Sequence, residues 1–232
     1  SGDFAANAEK LGVDLKEVEL GVLSHGHFDH SDGLRAFFPL NDKVDFHLRP
    51  GAEGPYFSMK PNIHFIGIHR DIWRDYHDRF RFVEGVHELG EGMWLLPDGE
   101  VDPEFTGRAK DLVYKRGEDD FIPDDFRHEQ SLIFDTDKGL VVFNSCCHAG
   151  ADTILMEAMQ AFPGKKVHAI IGGFHLFEAP IHSVREFAQR LQDTGVERII
   201  TGHCTGQVQY AHLKRILGDN LNAISGGVEI TL

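Results

Sequence analysis

Ser24-His25-Gly26-His27-Phe28-Asp29-His30 is the stretch that decides the fold, because it places four possible metal ligands within six residues. The apolar residues 18–23 before it predict a buried strand, and residues 31–38 after it predict a capped helix. In an extended segment His25 and His27 leave the same face, so both can reach one ion. Asp29 and His30 follow where the chain must turn, and we expect them to face a second ion. Imidazole and carboxylate ligands suit zinc, iron or manganese better than calcium.

Three later stretches carry further histidines. They are Asn144-Ser145-Cys146-Cys147-His148-Ala149-Gly150, Gly172-Gly173-Phe174-His175-Leu176 and Thr201-Gly202-His203-Cys204-Thr205-Gly206. With the first stretch, they resemble the motifs of the metallo-β-lactamase superfamily. The last two are similar to those of its dihydropterin-ribofuranosyl-aminobenzene-phosphate synthase-like subfamily of metal-dependent hydrolases. The resemblance runs from about residue 3 to the C-terminus.

The resemblance implies an α/β fold, a four-layer αββα sandwich, formed by one domain over residues 1–232. It also implies a dinuclear site. The first ion would be held by His25, His27 and His148, and the second by Asp29, His30 and His203. Two zinc ions are expected, the second at the weaker site, with iron or manganese as the alternative metals.

The fourth motif departs from the family pattern. Its matching position is His175, where the superfamily normally has an aspartate that bridges both ions. A neutral imidazole has one lone pair, so His175 either binds one ion alone or contacts the substrate. Asp29 and His175 are therefore the candidate catalytic residues. Thr205 and Gly206 begin a predicted helix, whose threonine cap and N–H groups make either an anion site beside the metal or an ordinary N-cap.

The function expected from the resemblance is a metal-dependent hydrolase. A bound metal lowers the pKa of its water and polarises a carbonyl or phosphoryl oxygen, so a small substrate bearing phosphate or carboxylate is expected. One alternative is a synthase that transfers a pterin and releases diphosphate. An iron-dependent redox enzyme and an inactive domain on the same fold are the others.

The composition bounds the partners and the compartment. A chain of 232 residues that is 41% hydrophobic can bury one good core. Its net charge of −14 argues against nucleic acid as a partner. The three cysteines are an odd number and two are adjacent, so they predict no disulfide framework and suit the reducing cytoplasm. No apolar run approaches the roughly 20 residues of a membrane helix, and no signal-peptide pattern opens the chain.

Other segments complete the prediction. Residues 50–61 and 97–125 are rich in Gly and Pro or in acidic residues and predict loops, whereas residues 131–136 and 140–143 predict a hairpin. Residues 228–232 predict a last strand. In the superfamily the strand at 18–23 is flanked by strands that would precede residue 1 here, so we expect an N-terminally shortened fold. Residues 18–23 should be central in the first sheet, so an uncovered edge there predicts a longer natural product or a homo-oligomer.

Cys146 also bears on the site. It alternates with His148 at the end of a predicted strand, so both side chains are expected on one face. A thiol there could bind the metal, although a small buried packing role is commoner for cysteine.

Overall fold

Helices and short strands alternate through residues 3–99 and 111–232, which are the residues described by this computed structural model. The helices are α1 (Phe4–Lys10), α2 (Phe28–Ser31), α3 (Leu34–Phe37), α4 (Arg70–Tyr76), α5 (Ala151–Ala161), α6 (Ile181–Asp193) and α7 (Gln207–Leu217). The strands are β1 (Gly21–Val22), β2 (Phe46–Leu48), β3 (Tyr56–Ser58), β4 (His64–Phe65), β5 (Phe80–Phe82), β6 (His87–Gly90), β7 (Met93–Pro97), β8 (Leu112–Lys115), β9 (Phe121–Pro123), β10 (Gln130–Thr136), β11 (Gly139–Phe143), β12 (Val167–Gly173), β13 (Arg198–Gly202) and β14 (Leu221–Ala223). The predicted α/β class is confirmed.

Residue contacts group the chain into two compact units. Unit 1 consists of Ser1–Glu84 and Asp111–Gln130, and unit 2 consists of Gly85–Lys110 and Ser131–Leu232. The expectation of a single domain stays a prediction.

Unit 1 contains two small sheets. The first has the order β1-β2-β5 with parallel pairs, and the second is antiparallel with the order β4-β3-β8-β9. Phe37, Leu48 and Ile72 are among its fully buried core residues. The expectation that residues 18–23 form a central strand is wrong. Only Gly21–Val22 is a strand, and it lies at the edge because β2 takes the middle place between β1 and β5.

Unit 2 is built on a seven-stranded sheet of order β14-β13-β12-β11-β10-β7-β6. The pairs β11–β12, β12–β13 and β13–β14 are parallel. β12 is buried almost throughout, as expected for a parallel strand covered on both faces. On α6, the buried residues Val184, Phe187, Ala188 and Leu191 recur at helical spacing, so one stripe of the helix enters the core.

The structure confirms one local prediction and corrects several others. The hairpin is confirmed, since β10 and β11 pair antiparallel up to Thr136 and Gly139. Residues 50–61 are more than a loop, because β3 pairs with both β4 and β8. The segment 97–125 contains β8 and β9, while its residues 100–110 lie outside the described part. The helix predicted over 31–38 is divided into α2 and α3, and no strand occurs over 228–232, where Ile230 and Leu232 instead pack on the unit 2 sheet.

The helices were also compared with the length and hydropathy of a membrane-spanning helix. No helix within residues 3–99 and 111–232 is long and apolar enough to span a bilayer.

Candidate metal centre

Three imidazoles of the first motif converge within unit 1. His27 is extended, with φ −97° and ψ 149°, and α2 begins at the next residue. The ring centroid of His25 lies 4.6 Å from that of His27 and 4.4 Å from that of His30. His25 and His27 are buried, whereas Asp29 is exposed and its Oδ2 lies 3.3 Å from Nε2 of His30. The strand-to-helix junction therefore brings together all four residues that the motif predicts as ligands in this unit.

Gly26 sets the path of the backbone between the two buried histidines. A Cβ added there would lie 2.2 Å from the carbonyl oxygen of Ala52, well inside van der Waals contact. Only glycine allows this approach, so Gly26 permits the close packing of the motif on the loop after β2.

A buried carboxylate that the motif does not include lies against His27. Oδ2 of Asp124 is 3.5 Å from Nε2 of His27 and 3.3 Å from Nε2 of His128. Nδ1 of His128 accepts the N–H of Gly26 at 3.0 Å, so Nε2 of His128 carries its proton toward the carboxylate. Oδ1 of Asp124 accepts the N–H of Phe126 at 2.9 Å. One acidic side chain therefore connects the His-x-His segment to the 124–130 segment.

The surroundings of this cluster shift the pKa values of Asp124 and His27. Burial would raise the pKa of the Asp124 carboxyl, but the charge and hydrogen bonding of His128 and His27 outweigh it and hold that pKa well below its usual range. Burial lowers the pKa of His27, and the hydrogen bond to Asp124 opposes this only in part. A neutral His27 facing an ionised carboxylate keeps its proton on Nε2, which leaves the Nδ1 lone pair for a metal.

The sequence offered no spacing signal for Asp124 or His128. Asp124 lies in a stretch predicted as loop, and about a hundred residues separate His128 from the motif. Histidine and aspartate near the start of β10 could have been tested as orienting groups for a metal ligand, since such partners are common.

The remaining predicted ligands lie at strand ends in unit 2. β11, β12 and β13 are adjacent and parallel, and the loops at their carboxyl ends carry His148, His175 and His203. His148 is buried, and its ring lies 4.6 Å from that of His175. His175 and His203 have φ values of +44° and +49°, a left-handed backbone that non-glycine residues adopt mainly where function or packing demands it. The assignment of these histidines to particular ions stays a prediction.

Thr205 does not play the part predicted for it in the helix. Gly206 is the N-cap residue of α7, and no side chain in the described part of the protein caps this helix. The buried hydroxyl of Thr205 instead accepts the N–H of Phe174 at 3.0 Å and lies 2.6 Å from the hydroxyl of Thr201. The threonine cap is therefore wrong, and Thr205 ties the loop after β13 to the loop after β12. Anion binding by Thr205 and Gly206 stays a prediction.

A cavity of about 650 Å³ adjoins the first motif within unit 1. Asp29 and His30 line it together with mainly apolar side chains, including Val22 and Phe37. The two motif residues are therefore next to space for the body of a small molecule.

Comparisons with known proteins identify the fold. No family model matches the chain. The structure aligns over its whole length with 86% of Tm1679, a metal-dependent hydrolase of the β-lactamase superfamily, with a TM-score of 0.82 and 28% identity. A diphosphatase of the PhnP family aligns over 78% of its own chain and all of this one, with a TM-score of 0.54 and 14% identity, which shows the fold alone. The chain thus has the metallo-β-lactamase fold, as predicted, and the resemblance to that superfamily is confirmed.

A curated relative gives the comparison a finer level. The chain is 28% identical over 212 residues to the 7,8-dihydropterin-6-methyl-4-(β-D-ribofuranosyl)-aminobenzene-5'-phosphate synthase of Methanocaldococcus jannaschii. The matched region covers 86% of this chain and 70% of the synthase. The predicted resemblance to the synthase-like subfamily is confirmed. Its relatives are a hydrolase and a synthase, which supports an enzyme.

The residues present fit the metal ions that this fold implies. Buried imidazoles supply most of the donors, and His27 has the carboxylate partner that metal-binding histidines usually have. A ligand set of imidazoles with few carboxylates suits zinc, iron and manganese. Calcium prefers oxygen ligands and would bind poorly to such a set.

Proposed function

We propose that this protein is a metal-dependent hydrolase that acts on a small substrate bearing phosphate or carboxylate. The observation that carries the proposal is the convergence of three rings where the chain enters α2: the centroid of His25 lies 4.6 Å from that of His27 and 4.4 Å from that of His30. When bound, the metal supplies a water of lowered pKa and polarises the oxygen that is attacked. The superfamily resemblance assigns His148 and His203 to the same chemistry.

The chain's own residues have separable roles in this proposal. His25 and His27 bind from the buried side, and Asp124 orients His27. Asp29 is exposed beside His30 and can accept the proton that the attacking water loses. The cavity that Asp29 and His30 line holds the body of the substrate. His175 contacts the substrate or holds one ion, since an imidazole cannot replace a bridging carboxylate.

We propose two zinc ions as the resident metals. The donor chemistry allows iron and manganese as well, so elemental analysis of protein purified without added metal decides among them. About two zinc per chain supports the proposal, and iron at that ratio would favour the redox alternative.

The hydrolase proposal is tested by metal content and turnover together. His27→Ala should lose stoichiometric metal and turnover of phosphoesters, lactones or thioesters, whichever class the native protein cleaves. His64→Ala is the matched control, because His64 is exposed and bonds only to the carbonyl of Asn62 among the contacts described. His148→Ala tests whether a unit 2 histidine shares the ion. A metal content in His27→Ala equal to that of the native protein would refute the assignment of His27 as a metal ligand.

The second candidate function is transfer of a pterin with release of diphosphate. The 28% identity to the synthase favours it, and metal ions suited to a phosphoryl oxygen could equally hold a diphosphate leaving group. Incubation with the dihydropterin diphosphate and the ribofuranosyl-aminobenzene phosphate distinguishes the two. A coupled product points to the synthase, and hydrolysis without coupling points to the hydrolase.

The setting of the enzyme is also a proposal. The three cysteines form no disulfide, which suits the reducing cytoplasm, and the net charge of −14 suits a small-molecule substrate better than nucleic acid. A homo-oligomer is tested by light scattering, where a mass of 26.1 kDa would identify a monomer.

A further inference from the structure

A buried group of polar side chains adjoins the loop that carries His148. Asp98 follows β7, Ser131 belongs to β10 and Asn144 follows β11, and these strands are neighbours in the unit 2 sheet. Each of the three residues is at most 7% exposed. We propose that Asp98 and Asn144 are positioning residues that hold His148 where it binds metal. The inference rests on the proposed function, because it takes His148 as a metal ligand.

The Asn144 amide holds the turn that leads to His148. Its Oδ1 accepts the backbone N–H of Cys146 at 3.0 Å and that of Cys147 at 2.7 Å. Cys147 has a left-handed φ of +51°, and its carbonyl oxygen accepts the N–H of Gly150 at 2.9 Å. A left-handed φ has a conformational cost in a non-glycine residue, so it persists only where the surroundings fix it. The asparagine oxygen therefore fixes the backbone on the N-terminal side of His148.

Asp98 decides which way the Asn144 amide faces. Oδ2 of Asp98 accepts a hydrogen bond from Nδ2 of Asn144 at 2.5 Å, and Oδ1 accepts one from the hydroxyl of Ser131 at 2.8 Å. The same NH₂ group also donates to Oγ of Ser131 at 3.0 Å. An ionised carboxylate only accepts hydrogen bonds. A rotated Asn144 amide would point its oxygen at the carboxylate and its NH₂ group at two backbone N–H donors, so a single orientation satisfies every group.

The backbone of β12 leaves this loop little room to move. A Cβ added to Gly172 would lie 1.7 Å from the carbonyl oxygen of Asn144, and one added to Gly173 would lie 2.8 Å from that of Ser145. The N–H of Gly173 donates to the Ser145 oxygen at 2.9 Å. His148 itself is only 1% exposed. A change in the Asn144 amide is therefore passed along the backbone to the His148 ring.

The network predicts an effect on metal binding that a purely stabilising role would not have. Burying a carboxylate is costly, and packed apolar residues could support the same strand ends. A fully satisfied buried network instead specifies one arrangement of the groups around it. We therefore expect its disruption to lower the metal affinity of the folded protein as well as its stability.

The experiment is zinc competition with a chromophoric chelator, with urea unfolding of the metal-free protein measured in parallel. Asn144→Asp replaces the NH₂ donor that faces Asp98 by an acceptor and brings two carboxylates together. We expect zinc affinity to fall roughly 10- to 100-fold, as when other groups that orient metal-bound histidines are lost. Adding Asp98→Asn to this variant should recover most of the lost affinity, because the new amide then donates to the new carboxylate.

Two comparisons separate positioning from stability. Arg190→Ala removes the ion pair with the buried Asp152 of the same unit, and it should lower stability while leaving zinc affinity unchanged. In the background of His148→Ala, Asn144→Asp should cause no further loss of zinc affinity, because the ligand that it positions is gone.

The outcomes distinguish this inference from the proposed function. Native zinc affinity in Asn144→Asp, or an equal loss with and without His148, overturns the positioning role and leaves the hydrolase proposal intact. Unchanged zinc affinity in His148→Ala overturns the assignment of His148 as a ligand, and the positioning role with it. If Asn144→Asp does not fold, Ser131→Ala gives the same comparison. Its expected loss is roughly two- to tenfold, the contribution of one neutral hydrogen bond, and no loss would overturn the inference.

Discussion

Replacing Asp124 with asparagine should weaken metal binding without removing any proposed ligand. Oδ2 of Asp124 faces Nε2 of both His27 and His128, at 3.5 and 3.3 Å. Nε2 of His128 must be a donor, because Nδ1 of the same ring accepts the N–H of Gly26. If the asparagine oxygen keeps the bond to the Phe126 N–H, its NH₂ group faces these imidazole donors, and a hydrogen bond to a charged acceptor becomes a donor–donor contact.

The magnitude follows from that lost bond. A buried hydrogen bond to a charged group contributes about 1.5–3 kcal/mol, and about 1.4 kcal/mol corresponds to a factor of ten in affinity. We therefore expect zinc affinity to fall roughly 10- to 100-fold, the range found when partners of metal-bound histidines are removed. The assay is competition with a chromophoric chelator at fixed pH, with urea unfolding of the metal-free protein measured in parallel.

Asp125→Asn is the control for this prediction. Asp125 is adjacent in sequence but exposed, and it accepts a hydrogen bond from the N–H of Arg127. Its replacement should leave the affinity within about twofold, because an exposed carboxylate contributes little. Equal zinc affinity in the native protein and Asp124→Asn would refute the argument that this carboxylate orients His27.

Three further predictions concern stability. Gly26→Ala should lower the free energy of unfolding by about 1–3 kcal/mol and reduce bound metal, since the new Cβ would meet the Ala52 carbonyl oxygen at 2.2 Å. Unfolding of the metal-free protein should become easier as the pH falls below about 6.5. The pKa of His27 is lowered in the folded protein, so the unfolded chain binds more protons there. Arg190→Ala should lower the free energy of unfolding by about 1–3 kcal/mol, because it removes the 2.6 Å ion pair between Arg190 and the buried carboxylate of Asp152. The effect is moderate because the Arg190 side chain is partly exposed.

Each of these predictions has its own comparison, all measured by urea denaturation. Gly226→Ala should be nearly neutral, since no atom of the described residues lies within 4 Å of its added Cβ. The pH dependence should flatten in His27→Gln. Arg74→Ala removes an exposed ion pair with Asp75 and should leave the free energy of unfolding nearly unchanged. Equal losses in Arg74→Ala and Arg190→Ala would contradict the role given to burial.

The features that the sequence predicted correctly depend on short-range patterns. His25, His27 and His30 fall together because strand and helix periodicities place them, and each operates over a few residues. The positions of His148, His175 and His203 follow from apolar runs that end in a polar motif. Such patterns identify the fold and most of the candidate ligands.

The features that the sequence missed depend on contacts that periodicity cannot encode. His128 lacks ligand spacing in the sequence, yet its Nδ1 accepts the N–H of Gly26 across 102 residues. Thr205 fits the pattern of a helix cap, but its hydroxyl is already used by Phe174 and Thr201. A local preference of about 1 kcal/mol for capping gives way when tertiary hydrogen bonds compete for the same group.

The interleaving of the two units has a consequence during protein synthesis. Unit 1 needs residues 111–130, and part of unit 2 is made before them. At about 5–20 residues per second, the ribosome needs roughly 5–20 s to extend the chain from Gly26 to His128. Throughout that interval the first histidines are translated but the carboxylate that orients them is not. We therefore expect the nascent chain to hold metal weakly until the second half of translation, so that loading is a late step in the protein's biogenesis.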